Sequence, residues 1–138
     1  MNNYITVNIV NRKVKLFHIN EKISLPSNIQ GKIDDYWEKR LEQNAKLRRG
    51  KIFCIRDIVY KSDEIIINLV DTDYAHYLYT LNNTIEKKYA CRVCFAVGLI
   101  ITSDDKYIIG QMNKETATPL RLQLPGGGLE ERDIINGE

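Results

Sequence analysis

The chain has 138 residues, the size of one ordinary domain or of a small pair of subdomains. Hydrophobic residues make up 43% and charged residues 28%, enough apolar surface for a packed core and a composition unlike that of a disordered chain. Twenty basic side chains stand against 18 acidic ones, and this near balance, a net charge of +2, excludes a protein that coats nucleic acid through a strong basic excess.

Residues 1–10 alternate apolar and polar side chains instead of forming the continuous apolar run of a targeting segment. The longest apolar stretch, residues 95–101, is too short to cross a bilayer. Three cysteines, Cys54, Cys91 and Cys94, do not suggest a disulfide framework in a chain of this length, so a reducing, cytoplasmic setting is expected.

In chain order, Ile5, Val7 and Ile9 alternate with polar neighbours, as do Val14, Leu16 and His18, and Asn11-Arg12-Lys13 breaks the two runs. This pattern predicts a β-hairpin. Pro26 and Ser27 then punctuate the chain and favour a helix start. Ile29, Ile33, Trp37 and Leu41 recur every four residues, the stripe of an amphipathic helix with Trp37 as a core anchor. Asp34 and Asp35 early, with Lys46, Arg48 and Arg49 late, match the sign of a helix dipole, and Gly50 is a plausible C-cap. The basic cluster reads as a solvated helix end, with a phosphate contact as the alternative.

Residues 52–59 and 64–70 flank the turn Lys61-Ser62-Asp63 and predict a second hairpin. Residues 71–83, with Tyr74, Tyr77 and Tyr79 around His76 and Leu78, predict a short helix or wound turn. Residues 91–102 form a nearly continuous apolar run, the pattern of a strand buried on both faces. Ser103-Asp104-Asp105 is a turn, residues 107–112 pair back as the next strand, and Leu120, Leu122 and Leu124 mark one more before Pro125-Gly126-Gly127-Gly128. The fold class is α+β. A polar segment at residues 82–88 divides an N-terminal α+β module, residues 1–85, from a second unit, residues 86–138.

Within that second unit, residues 97–111 (VGLIITSDDKYIIGQ) resemble the first β-hairpin of the Nudix hydrolases. Leu122-Gln123-Leu124-Pro125-Gly126-Gly127-Gly128-Leu129-Glu130 is similar to the strand entering the Nudix box, and Asn136-Gly137-Glu138 is similar to its Gly-Glu pair. The likeness covers about residues 92–138, roughly a third of the chain. Glycines have a physical reason to stand there. Lacking a Cβ, they let the backbone come close to a diphosphate and a cation.

The resemblance implies the opening strands of a Nudix α/β/α sandwich and hydrolysis of a nucleoside diphosphate linked to another moiety, with Mg²⁺ or Mn²⁺ as cofactor. It assigns Gly126, Gly127, Gly128, Glu130 and Glu138 to substrate binding, and the Gly128 carbonyl and Glu138 to the metal. The sequence departs from the family in two ways. Glu138 follows Gly128 by ten positions, which requires an insertion across residues 130–135, and no residue matches the family's Arg-Glu-x-x-Glu-Glu string. The main catalytic glutamates therefore have no counterpart here, and the 138-residue chain is expected to be inactive alone. The alternative is a non-catalytic module that binds a nucleotide or a protein. A sheet without its covering helices is expected to favour a homodimer.

Upstream, Leu47-Arg48-Arg49-Gly50-Lys51-Ile52 and Thr72-Asp73-Tyr74-Ala75-His76-Tyr77-Leu78-Tyr79-Thr80 are similar to the region before the Nudix domain in sugar-nucleotide diphosphatases, which implies a sugar-nucleotide substrate. The tyrosines themselves fit core packing better than ligand contact. Cys91 and Cys94 form a lone C-x-x-C. On an extended strand they diverge, and no second ligand pair is spaced for zinc, so they read as structural thiols.

Overall fold

The longest alternating runs of the sequence become the longest strands. In a computed structural model, which describes residues 11–116 and 118–135, β1 spans Lys13–Lys22, β2 Lys51–Tyr60 and β3 Glu64–Asp73. β3 lies at the centre of a three-stranded sheet, antiparallel to β2 and parallel to β1. The β2–β3 hairpin turns at Lys61-Ser62-Asp63 as the sequence predicts, closed by Lys61 N–H donating to the Glu64 carbonyl at 2.9 Å. A register shift between Ile55 and Asp57 bulges β2, and Asn68 on β3 donates to the Asp57 carboxylate at 2.6 Å.

Helix α1, Ser27–Gln43, and helix α2, Tyr74–Asn82, pack together. The apolar stripe of α1 turns Ile33 and Trp37 inward, where they meet Leu47, Ala75, Leu78 and Tyr79. Burial of side chains of this size contributes roughly 1.5–3 kcal/mol each. α2 begins where the Asp73 carboxylate accepts the His76 N–H at 3.0 Å, an N-cap that satisfies one orphan donor of the first turn. At its other end, Asn82 and Asn83 side chains donate to the Leu78 and Tyr79 carbonyls.

The imidazole of His76 is buried and fully engaged. Its Nε2 lies 2.7 Å from the Tyr89 carbonyl, which can only accept, so Nε2 carries the proton and Nδ1 accepts the Thr72 hydroxyl at 2.9 Å. Burial lowers its pKa below the ordinary histidine value, against the opposing pull of the Tyr89 carbonyl and Asp73. A second apolar cluster joins Cys54, Val70 and Cys91. Cys54 pairs across a β-bridge with Val93, so the segment after α2 is stitched to β2. Cys91 is buried and Cys94 half-buried, all three cysteines being free thiols.

The mixed α+β class is present as expected, but several local expectations fail. The first half of the expected N-terminal hairpin, residues 1–10, lies outside the described residues, and β1 pairs parallel with β3. α1 starts two residues before its apolar stripe and ends at Gln43, so Asp34 and Asp35 are mid-helix and Gly50 is not its cap. Asn44 is. The dipole reading of the basic cluster falls with it, and Arg49 instead pairs with Asp34 at 2.7 Å and Asp73 at 2.9 Å.

The largest correction concerns residues 91–102. Only β4, Phe95–Val97, is strand, and Phe95, Val97, Leu99, Ile100 and Ile101 are all exposed. An apolar run becomes a strand buried on both faces only where layers cover both faces, and none does so among the described residues. The next strand shrinks to β5, Gly110–Gln111, paired with β6, Leu122–Gln123, although Ile101 and Tyr107 still bridge around the expected turn. β7, Gly126–Gly128, pairs antiparallel with β4. A 3-10 turn, Lys87–Tyr89, lies at the end of the polar segment that follows α2.

Candidate functional site

The Leu-Pro-Gly-Gly-Gly turn borders a cleft of about 470 Å³. β7 fixes it there. Gly98 N–H donates to the Pro125 carbonyl at 2.8 Å, and Gly126, Gly127 and Gly128 stand opposite Val97, Ala96 and Phe95. Gly126 has φ 150°, a conformation L side chains rarely adopt, and a Cβ there would overlap the Ala96 carbonyl oxygen and sit 2.6 Å from Val97 Cα. At Gly127 a Cβ would meet nothing within 4 Å, so that residue leaves its backbone open to the cleft. Gly128 is covered by the Phe95 ring, 3.7 Å from where its Cβ would be.

α2 supplies the aromatic part. Tyr74 and Tyr77 line the cleft with ring centroids 5.7 Å apart, and Tyr77 in turn meets Phe95 at 6.1 Å. Burial raises both phenol pKa values. The charge of Arg121 opposes the rise at Tyr77, and that of Arg40 opposes it at Tyr74. Tyr79, by contrast, belongs to the core. The reading of the tyrosines as packing residues holds for Tyr79 inside the core and for Tyr74 and Tyr77, which pack against it half-buried and also line the cleft mouth.

Arg121 is the residue the sequence did not single out. It precedes β6 and lines the cleft with Gln123, Leu124 and Met112. Leu120, immediately before it, has φ 60°, an outlier for a branched residue that costs on the order of 1–3 kcal/mol. Strain of this kind clusters where a side chain must be aimed. Among the described residues, no carboxylate pairs with the Arg121 guanidinium and no side-chain hydrogen bond engages it. The only signal in the sequence was a cation inside an otherwise aliphatic alternation, Leu120-Arg121-Leu122.

The structure brings together Gly126 and Gly127 but not the rest of the expected set. Gly128 faces the Phe95 ring and does not line the cleft. Glu130 lies elsewhere. It forms a capping box with Asp133, pairs with Arg132 at 3.0 Å, and borders a separate groove with Lys51 and Phe53. Glu138 lies outside the described residues. No group of three or more His, Cys, Asp or Glu side chains among the described residues is placed to hold a metal ion. A hard divalent cation requires several oxygen ligands, so the described residues alone do not fit Mg²⁺ or Mn²⁺.

What the cleft can do is bind. It combines an open glycine backbone, a guanidinium with no carboxylate partner among the described residues and two aromatic faces, the elements that recognise a phosphate next to a flat ring. No helix among the described residues is long and apolar enough to cross a membrane. The sequence matches no family model and no curated protein.

Proposed function

We propose that the cleft recognises a nucleoside diphosphate linked to another moiety, such as a sugar nucleotide, as the substrate-holding part of a Nudix-type pyrophosphohydrolase. One observation carries the reading: the open Gly127, beside the tightly turned Gly126, and an Arg121 without a carboxylate partner among the described residues line the same cleft as Tyr74 and Tyr77. In this proposal the diphosphate lies against the backbone at Gly127, where no side chain keeps it away. Arg121 offers its fork of donors to phosphate oxygens, a charge-assisted contact about twice as strong as a neutral one. The base or sugar stacks on the tyrosines, worth about 0.5–1.5 kcal/mol beyond its buried area. The Mg²⁺ or Mn²⁺ that the resemblance implies would need carboxylates beyond those described. Binding, rather than turnover, is therefore the property assigned to this chain.

Calorimetry with UDP-glucose and ADP-ribose tests it. Binding should be measurable for at least one, and Arg121→Ala should weaken it by about tenfold or more, the equivalent of roughly 1.4 kcal/mol. Absence of binding for both, or indifference to Arg121→Ala, would sink the assignment. Binding without release of product on adding Mg²⁺ favours the non-catalytic module, and turnover favours the hydrolase.

A further inference from the structure

A larger cavity, about 670 Å³, lies between the end of β1, the bulge of β2 and the turn at Lys87–Tyr89. Its wall concentrates charge. Lys22, Arg56, Lys87, Lys88 and Arg92 line it, five of the chain's 20 basic side chains, against one carboxylate, Glu21. Part of that charge is already met. Arg56 reaches Glu21 at 3.4 Å and Asp57 at 3.1 Å, and Lys88 reaches Glu86 at 3.0 Å. Lys22, Lys87 and Arg92 have no carboxylate within ion-pair distance among the described residues.

Arg92 is held in place by backbone carbonyls, with Asp57 close enough to feel its charge but outside ion-pair distance. Its Nη2 donates to the Ile55 carbonyl at 3.0 Å and to the Arg56 carbonyl at 2.7 Å, where the β2 bulge presents both oxygens. Its remaining N–H groups keep a fixed orientation, so little side-chain entropy is lost when an anion docks. Beneath the cations, Ile23, Val70 and Ala90 form an apolar surface. Cys54 shares that wall and senses the same field. A hydrogen bond from Cys91 holds its pKa below the ordinary thiol value against the effect of burial, and the amide and charge of Arg92 lower it further.

We propose that this cavity binds a small organic phosphate carrying at least two negative charges, its anionic group on Lys22, Lys87 and Arg92 and its organic part on Ile23, Val70 and Ala90. A monocarboxylate would leave most of the charge unmatched, and a purely inorganic ion would leave the apolar surface bare. The site is separate from the glycine cleft and does not depend on it.

Calorimetry with inorganic pyrophosphate, and with phenyl phosphate against inorganic phosphate, tests both halves. The double variant Lys22→Ala, Lys87→Ala should weaken pyrophosphate by about tenfold or more with the melting temperature unchanged, because both side chains are exposed. The single Lys87→Glu should weaken it further than Lys87→Ala. These variants are compared in an Arg121→Ala background, which removes the phosphate contact proposed for the glycine cleft, so that the heat reports on this cavity. Phenyl phosphate should bind several-fold more tightly than phosphate. The site assignment is overturned by full affinity in the double variant or by no heat of binding at millimolar pyrophosphate in the Arg121→Ala background. Equal affinity for the two monophosphates overturns the organic part.

Discussion

Between Lys13 and Asn82 most of the large apolar residues turn at least partly inward, while between Phe95 and Ile135 most of them stand at the surface. Ile33 and Trp37 are 0% and 3% exposed, whereas Leu99 and Ile109 are 59% and 56% exposed. The two regions draw on the same aliphatic residues. What separates them is the number of layers. The first region stacks two helices and a three-stranded sheet whose strands run ten residues each. The second has paired segments of two or three residues, too short to present a continuous face. An apolar pattern sets which face a residue prefers, and burial follows only where another element arrives to cover it.

The contrast can be broken first at its strongest point. Trp37→Ala should lower unfolding free energy by about 3–5 kcal/mol in urea melts, since it empties the centre of the helix–helix core. A loss below 1 kcal/mol would mean the core is not the anchor. Next is the glycine turn, where the comparison sharpens to adjacent residues. Gly126→Ala should cost about 1–3 kcal/mol and disrupt β4–β7 pairing, seen as loss of amide protection at residues 95–97. Gly127→Ala, with open space around it, should stay within about 0.5 kcal/mol.

Acid should then loosen the first region selectively. His76 has a folded pKa below its unfolded value, so its contribution is intact above about pH 6.5 and is lost as the pH falls through the lowered folded value. Asp34, Asp57 and Asp71 are also lowered, but they begin to matter only below about pH 4, their unfolded range. Urea melts from pH 7 to 5 should show the histidine step alone, and a flat profile there would contradict the Thr72–His76–Tyr89 network. The smallest effect is expected from Leu99→Ser, within about 0.5 kcal/mol, because its side chain is already in water.

The same contrast explains what could be read in advance. The four-residue stripe of Ile29, Ile33, Trp37 and Leu41 and the turn at Lys61-Ser62-Asp63 are local signals, and both elements formed where expected. The caps were less legible. Gly50 had the right residue type, but α1 stopped earlier, and Asp73, unremarked in the sequence, caps α2. Of the site, the glycines were visible because their lack of a side chain is written in the sequence. Arg121 was not, since the fold alone decides that it lines the cleft and that no carboxylate among the described residues pairs with it, which no spacing encodes. Tyr74, Tyr77 and Tyr79 looked alike, and only the rotation of α2 separates the first two from the third.

The parallel pairing of β1 with β3 sets an order of assembly. The β2–β3 hairpin closes over a three-residue turn, a step of microseconds in comparable hairpins. β1 reaches its neighbour across a far longer stretch of chain, as His18 and Asp71 show, 53 positions apart and joined at 2.8 Å. Closing so large a loop carries an entropic penalty that only the finished ladder offsets, so docking of β1 comes late and governs the rate. By the same logic its amides are the first of the three strands to exchange with solvent when the native sheet opens.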